Sequence, residues 1–345
     1  METKLKQYFP IIRTREEILH EIGSNDALSK KYRQWSEEQQ TLFLDYCTGV
    51  RGVKLLYDAF FKEIMNPEYT PERLEEFLSF ILGTKVKILK VLPNDSSRIA
   101  DESSLLIMDI VVELEDHSIA NVEVQKLGYA FPGQRAACYS ADLLLRQYKR
   151  VRSERKEKFS YKDIKKVYTI ILFEKSGKEF HKFRNEYIHL FQQKSNTGIE
   201  LNLFQDFIFI ALDIFSEKHH NIGIQNKLEA WLTFLCMDSP EDIIRLIEQY
   251  PEYKVLYQEV YELCQNTERV MEMFSKELLE MDRNTVQYMI DEMQDTIDAQ
   301  KDTIDSQQGT IDSQQDTIDS QQQEIDLLNR KILELTQSLN KNVVQ

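Results

Sequence analysis

Residues 105–125, LLIMDIVVELEDHSIANVEVQ, constrain this chain more than any other stretch. They read as two strands joined by a tight turn at Glu115, Asp116, His117 and Ser118. Asp109 falls inside the first strand, and Glu123 and Gln125 inside the second. A lone acid within an apolar strand costs several kcal/mol unless it is paired or bound to a metal. Residues two apart on a strand share a face, roughly 6.7 Å apart. Glu123 and Gln125 therefore point one way, and Val122 and Val124 point the other, into a core. A suitable register sets Asp109 beside Glu123. Two carboxylates and a neutral oxygen donor then converge, a set that suits Mg²⁺, with Mn²⁺ as a substitute. Such a site, completed by waters and a substrate phosphate, is the usual arrangement for phosphodiester chemistry. The competing reading of Asp109 is a hydrogen-bonded strand acid, and of Glu123 an acid on an exposed face.

The flanking elements define the scaffold. Residues 1–50 look helical and polar, an arm or lid with no chemistry of its own; Thr14 with Glu17 and Ser36 with Gln39 are spaced as helix caps. Residues 53–65 alternate as an amphipathic helix, with Leu56, Phe60 and Ile64 on one stripe and Asp58 near it. Pro71 opens a second helix that Gly83 stops. Strands are expected at 86–92, 167–173 and 207–212. Gly128 and the pair Pro132–Gly133 break the chain before a long helix from Gln134 to about Glu157. The order helix, three strands, helix, strand implies an α/β sandwich with a mixed sheet. Residues 221–288 are helical in pattern, with Trp231, Phe234, Leu235, Ile243, Ile244 and Leu246 as a small bundle's core. His219 and His220 are read as surface residues on a loop.

Net charge is −15, which argues against nucleic acid as a partner until its distribution is seen. Residues 291–326 hold eleven acids and one base, so most of the charge is local. Residues 146–166 hold ten bases against three acids, with Tyr148, Phe159 and Tyr161 interleaved. Arg146, Lys149, Arg150 and Arg152 lie on the helix expected beside the acids and are candidates for binding phosphate; a solvated helix end is the alternative. Nothing in the stretch reads base sequence. The four cysteines form no CxxC pair, which fits a reducing cytoplasm. The first residues, METKLKQYFP, contain no signal-like apolar run, and no run of about 18 apolar residues suggests a membrane span.

The tail beats in sevens. Isoleucine occupies 290, 297, 304, 311, 318, 325 and 332, and position d is Met293, Gln300, Gln307, Gln314, Gln321, Leu328 and Leu335. This is a coiled-coil pattern. At about 1.5 Å per residue it spans roughly 70 Å. Glutamine at d favours one register and copy number, since each must find a partner across the seam. A parallel homo-oligomer is expected, trimer ahead of dimer; the alternative is a disordered acidic linker.

Asp109 followed by Glu123-Val124-Gln125 resembles the PD-(D/E)xK nuclease signature. The segments Asp58-Ala59-Phe60-Phe61-Lys62, Met108-Asp109-Ile110-Val111 and Arg135 through Tyr139, with the strand around Tyr168, resemble the recombination-promoting nuclease and transposase branch of that superfamily. The resemblance covers roughly residues 45–215 and leaves the tail unexplained. It implies a restriction-endonuclease-like mixed sheet flanked by helices, followed by a helical region and a C-terminal coiled coil. The corresponding divisions are an arm at 1–50, a nuclease-like core at 51–215, a helical bundle at 216–288, the heptads at 289–338 and a tail at 339–345. It implies Asp109 and Glu123 as metal ligands, Gln125 where lysine usually stands, and Asp58 in the catalytic shell. Arg135 and Tyr139, four apart on one helix face, would bind phosphate or brace the ligands. The implied function is a Mg²⁺-dependent DNA endonuclease linked to recombination, mobile elements or defence. Met108 replaces the proline of the signature. Gln125 can orient water but adds no charge, which sustains the alternative of a catalytically degenerate DNA-binding and assembly protein. A third reading is an RNA nuclease or a toxin-like nuclease. Lys126 is adjacent, but the two-residue period turns it to the other face.

Overall fold

In the computed structural model, which describes residues 3–93, 109–126 and 132–343, six strands form one mixed sheet. Four helices come first: α1 (Lys4–Tyr8), α2 (Arg15–Ser24), α3 (Asp26–Gln34) and α4 (Glu37–Thr48). Thr14 with Glu17 and Ser36 with Gln39 form reciprocal capping boxes, as their spacing predicts. Then follow α5 (Asp58–Ile64) and α6 (Pro71–Leu82), which ends at Gly83 in the left-handed region.

The amphipathic pattern at 53–65 overstates α5. Val53, Leu55, Leu56 and Tyr57 are all buried but not helical. Three consecutive inward side chains cannot share one helical stripe, so the chain runs irregularly through the core until Asp58.

The sheet begins with the antiparallel strands β1 (Ile88–Val91), β2 (Ile110–Leu114) and β3 (Ile119–Gln125). Asp109 is thus not inside its strand but immediately before it, and Met108 lies outside the described residues. Helix α7 (Pro132–Arg155) follows. Pro132 and Gly133, read as a break, are its first two residues; proline's fixed φ suits a first helical turn. Next are β4 (Val167–Phe173), the unforeseen β5 (Ile188–Phe191) and β6 (Gln205–Ala211). The strand order is β1-β2-β3-β4-β6-β5, with β4 parallel to both β3 and β6. β5 is half-exposed and short, so its periodicity is faint.

Helices α8 (Leu212–Ile222), α9 (Lys227–Cys236), α10 (Pro240–Gln249), α11 (Tyr253–Leu263) and α12 (Thr267–Val343) complete the chain. His219 is on α8, not a loop, and is buried against Phe215 with Asp242 3.8 Å away. No helix among the described residues is long and apolar enough to cross a membrane.

Alternation along the strands sorts the core. Val112, Ala120, Val122, Ile170, Leu172, Ile208 and Ile210 face the larger core, shared with α4, α5, α6, α9 and α11. Val111, Ile119 and Val167 face α7 through Tyr139 and Leu143. The N-terminal helices join the larger core: Phe9 packs on Tyr257 and Tyr261, and Trp35 on Phe274 near the start of α12. Met1–Val286 is one compact unit and Gln287–Gln345 a second. Within the second unit, the a and d side chains from Ile297 to Leu335 form a stripe on one continuous helix.

Candidate active site

The face of β3 turned toward α7 carries Asn121, Glu123 and Gln125, and all three are buried. Three polar residues at successive inward positions of one strand depart from the mostly apolar filling of the sheet. The hairpin fixes what it meets. Ile110 pairs with Val122 and Val111 with Asn121, so the next step of the register sets Asp109 beside Glu123. The turn that holds this register uses Asp116, which accepts from the Ser118 backbone N–H at 2.9 Å, and His117 at φ 68°. The backbone N–H of Val124 donates to Asp109 Oδ2 at 2.7 Å and locks that carboxylate against the end of β3.

Two cations reach the acids from different elements. Lys62 Nζ on α5 lies 2.8 Å from Asp58 Oδ1 and 3.1 Å from Asp109 Oδ1. Arg135 Nη2 on α7 lies 3.4 Å from Glu123 Oε1, with its guanidinium 5.2 Å from the centre of the Tyr139 ring. Gln125 Nε2 donates to the same Glu123 oxygen at 3.3 Å. The structure therefore brings Asp58, Asp109, Glu123, Gln125, Arg135 and Tyr139 together.

Burial sets the electrostatics. Glu123 is 3% exposed. Its burial, reinforced by the charge of Asp109, pushes its carboxyl up to about 8, while Arg135, Gln125 and Tyr139 pull the other way. Burial also raises Asp109; Lys62 opposes that rise and Asp58 adds to it. Burial beside Glu123 raises the Tyr139 hydroxyl as well. The site is thus a desolvated group of like charges, three carboxylates met by Lys62 and Arg135 among the described residues.

Two oxygens of this group have the character of cation ligands. Among the described residues, Glu123 Oε2 and Gln125 Oε1 are buried and accept no hydrogen bond. Among the described residues no three of His, Cys, Asp and Glu form a ready-made cage. A divalent ion here would be held by Asp109, Glu123 and the Gln125 carbonyl oxygen, completed by water or a phosphate oxygen, a donor set that fits Mg²⁺.

The other basic residues lie elsewhere on α7. At about 1.5 Å per residue, Arg150 is roughly 22 Å along the helix from Arg135. Arg150 pairs with the buried Glu113 at 2.9 Å. Arg146 donates to Asp142 at 2.7 Å and to the Pro93 carbonyl at 3.1 Å. Lys149 and Arg152 are exposed, with Arg152 on the Tyr148 hydroxyl. These four are not gathered at the carboxylates.

Two residues of the site escaped sequence reasoning. Lys62 is one, although its spacing of four from Asp58 is a usable signal. Glu277 on α12 had none. It is 1% exposed, pairs with Lys126 Nζ and accepts from the Asp58 backbone N–H at 3.1 Å. Lys126 does turn away from Gln125, and Glu277 is its partner there.

A family model described as PD-(D/E)XK nuclease family transposase matches residues 55–294. No curated protein and no solved structure matches the chain.

Proposed function

The chain belongs to the PD-(D/E)XK nuclease family of transposases, and from that premise we propose that it is a Mg²⁺-dependent endonuclease acting on DNA. One observation carries the reading: Asp109, Glu123 and Gln125 meet at the end of β3 with two buried oxygens, Glu123 Oε2 and Gln125 Oε1, that accept no hydrogen bond among the described residues. Asp109 and Glu123 would hold the ion with the Gln125 carbonyl oxygen as a third donor, which also places that oxygen beside the attacking water. When bound, the ion lowers the pKa of that water and stabilises charge on the phosphate. Arg135 keeps Glu123 in place. Asp58, through Lys62, is tied to Asp109 and belongs to the surrounding shell. Exposed Lys149 and Arg152 offer phosphate contacts farther along α7, with little base selectivity.

The proposal extends to assembly. Ile297, Ile304, Ile311, Ile318, Ile325, Leu328 and Ile332 are 49–62% exposed along one helix. Further copies of the same helix would cover that stripe, as a parallel trimer or dimer, and would present several sites to one DNA. Four free cysteines suit action in a reducing cytoplasm. A role in recombination, mobile elements or defence accords with the family's transposase description.

Gln125 favours a second reading, a DNA-binding and assembly protein that does not cut. Plasmid nicking with Mg²⁺, Mn²⁺ or EDTA separates the two. Metal-dependent nicking that disappears in Asp109→Asn and Glu123→Gln supports the endonuclease. Equal cutting by wild type and both variants excludes this site. DNA binding without cutting selects the second reading.

A further inference from the structure

Position 125 lacks the positive charge that PD-(D/E)XK signatures name, yet a lysine does stand at these carboxylates. We infer that Lys62 is the working lysine of this site: its ammonium holds the place of a cation between Asp58 and Asp109, yields it to the divalent ion, and then stands beside the substrate phosphate. The inference rests on the reading of Asp109 as a metal ligand.

Three features separate Lys62 from an ordinary brace. It bridges two carboxylates on different elements, Asp58 at 2.8 Å and Asp109 at 3.1 Å, instead of satisfying one. It touches Asp109 through Oδ1, whereas Oδ2 is already taken by the Val124 N–H, so it occupies the oxygen left for an ion. Its side chain is about one-third exposed, which leaves a flexible four-carbon stem free to swing. Among the described residues, two further cations near the site are otherwise engaged: Arg135 is on Glu123, and Lys126 is on Glu277. An ammonium and a divalent ion that share carboxylate oxygens compete, because each repels the other at contact distance. Removing the ammonium must therefore strengthen metal binding while removing charge from the reaction. A brace that merely shaped the site would weaken both when lost.

The test uses the full chain with Lys62→Met and Lys62→Arg, and titrates Mn²⁺ calorimetrically without DNA before any cleavage assay. Lys62→Met is expected to bind Mn²⁺ at least about tenfold more tightly than wild type. At saturating Mn²⁺ its nicking should fall on the order of a hundredfold or more, the scale of one lost charge-stabilising group. Lys62→Arg, which keeps the charge, should hold metal affinity within about threefold of wild type, a difference well under 1 kcal/mol. Mn²⁺ affinity that is unchanged or weaker in Lys62→Met overturns the inference, as does wild-type nicking by that variant. If Lys62→Met does not fold, Lys62→Arg decides: a gain in Mn²⁺ affinity there overturns it. If the wild type binds Mn²⁺ but never nicks, the endonuclease reading fails, and the Mn²⁺ comparison still decides whether Lys62 holds the cation's place.

Discussion

Glu123→Gln should make the metal-free protein more stable, and by an amount that grows with pH. The carboxyl of Glu123 sits at 4.5 in an open chain and is pushed up to about 8 in the folded protein. A carboxyl raised by folding gives up its proton more readily when unfolded. Stability therefore falls as pH rises past about 4.5 and stops falling above about 8. Each unit of difference is about 1.4 kcal/mol, so Glu123 costs the folded state about 1 kcal/mol at pH 5.5 and about 4 kcal/mol at pH 7.5. Glutamine retains an acceptor for Arg135 and Gln125 but buries an amide where Oε2 now lies, which offsets about 1–2 kcal/mol of the gain. The net expectation is near zero at pH 5.5 and about 2–3 kcal/mol at pH 7.5, on the order of 5–10 °C in melting temperature for a body this size. Urea melts in EDTA at the two pH values measure it. Adding Mn²⁺ should then stabilise wild type and leave Glu123→Gln unmoved, since binding only the folded form raises stability. A wild-type-minus-variant difference that is flat between pH 5.5 and 7.5, or a variant less stable at pH 7.5, refutes the reasoning.

Glu277→Ala takes a buried carboxylate away from Lys126 and from the Asp58 backbone N–H; a loss of about 3–5 kcal/mol is expected in urea unfolding, and a loss under 1 kcal/mol would show the pair to be dispensable. Cys138 is exposed whereas Cys47 and Cys264 are buried, and burial pushes the Cys236 thiol up to about 12; one thiol, at Cys138, should react quickly with a maleimide, and two fast thiols in native protein would contradict the packing. Replacing Gln307, Gln314 and Gln321 with Leu should tighten self-association measured by sedimentation and loosen its copy number, because the polar d layers are what restrict register; unchanged association would mean the stripe is not a seam. Deleting residues 287–345 should leave a folded monomer, since they form a unit separate from Met1–Val286.

Local patterns made much of the scaffold readable. The capping boxes at Thr14 and Ser36 and the stop at Gly83 depend on residues three or fewer positions from the event they cause, and all three appear where their spacing puts them. The buried strand at 167–173 was legible because both faces are covered and four of its seven residues are β-branched. The failures share a cause too. Residues 53–57 are drawn into an irregular path by tertiary burial, Tyr57 lying near Tyr46 and Phe274, which no window of thirteen residues can register. β5 is half-exposed and pairs only with β6, so it lacks the apolar density that announces a strand.

The site was legible along β2 and β3 because a hairpin converts sequence spacing into spatial register: one turn and a period of two are enough to bring Asp109 to Glu123. Nothing comparable links those strands to α5 or α12. Lys62 reaches Asp109 across 47 positions, and Glu277 reaches Lys126 across 151, through packing that involves Tyr57, Phe274 and the larger core. A motif written along the chain records only the part of a site that local geometry brings together. Judged by that motif, Gln125 leaves the carboxylates without a lysine. Judged by the fold, the ammonium nearest Asp109 comes from a helix that precedes the motif, and it touches the oxygen that the backbone of β3 leaves free. Loss of charge at one position of a signature therefore says little about the charge at the site until the elements that pack against it are known.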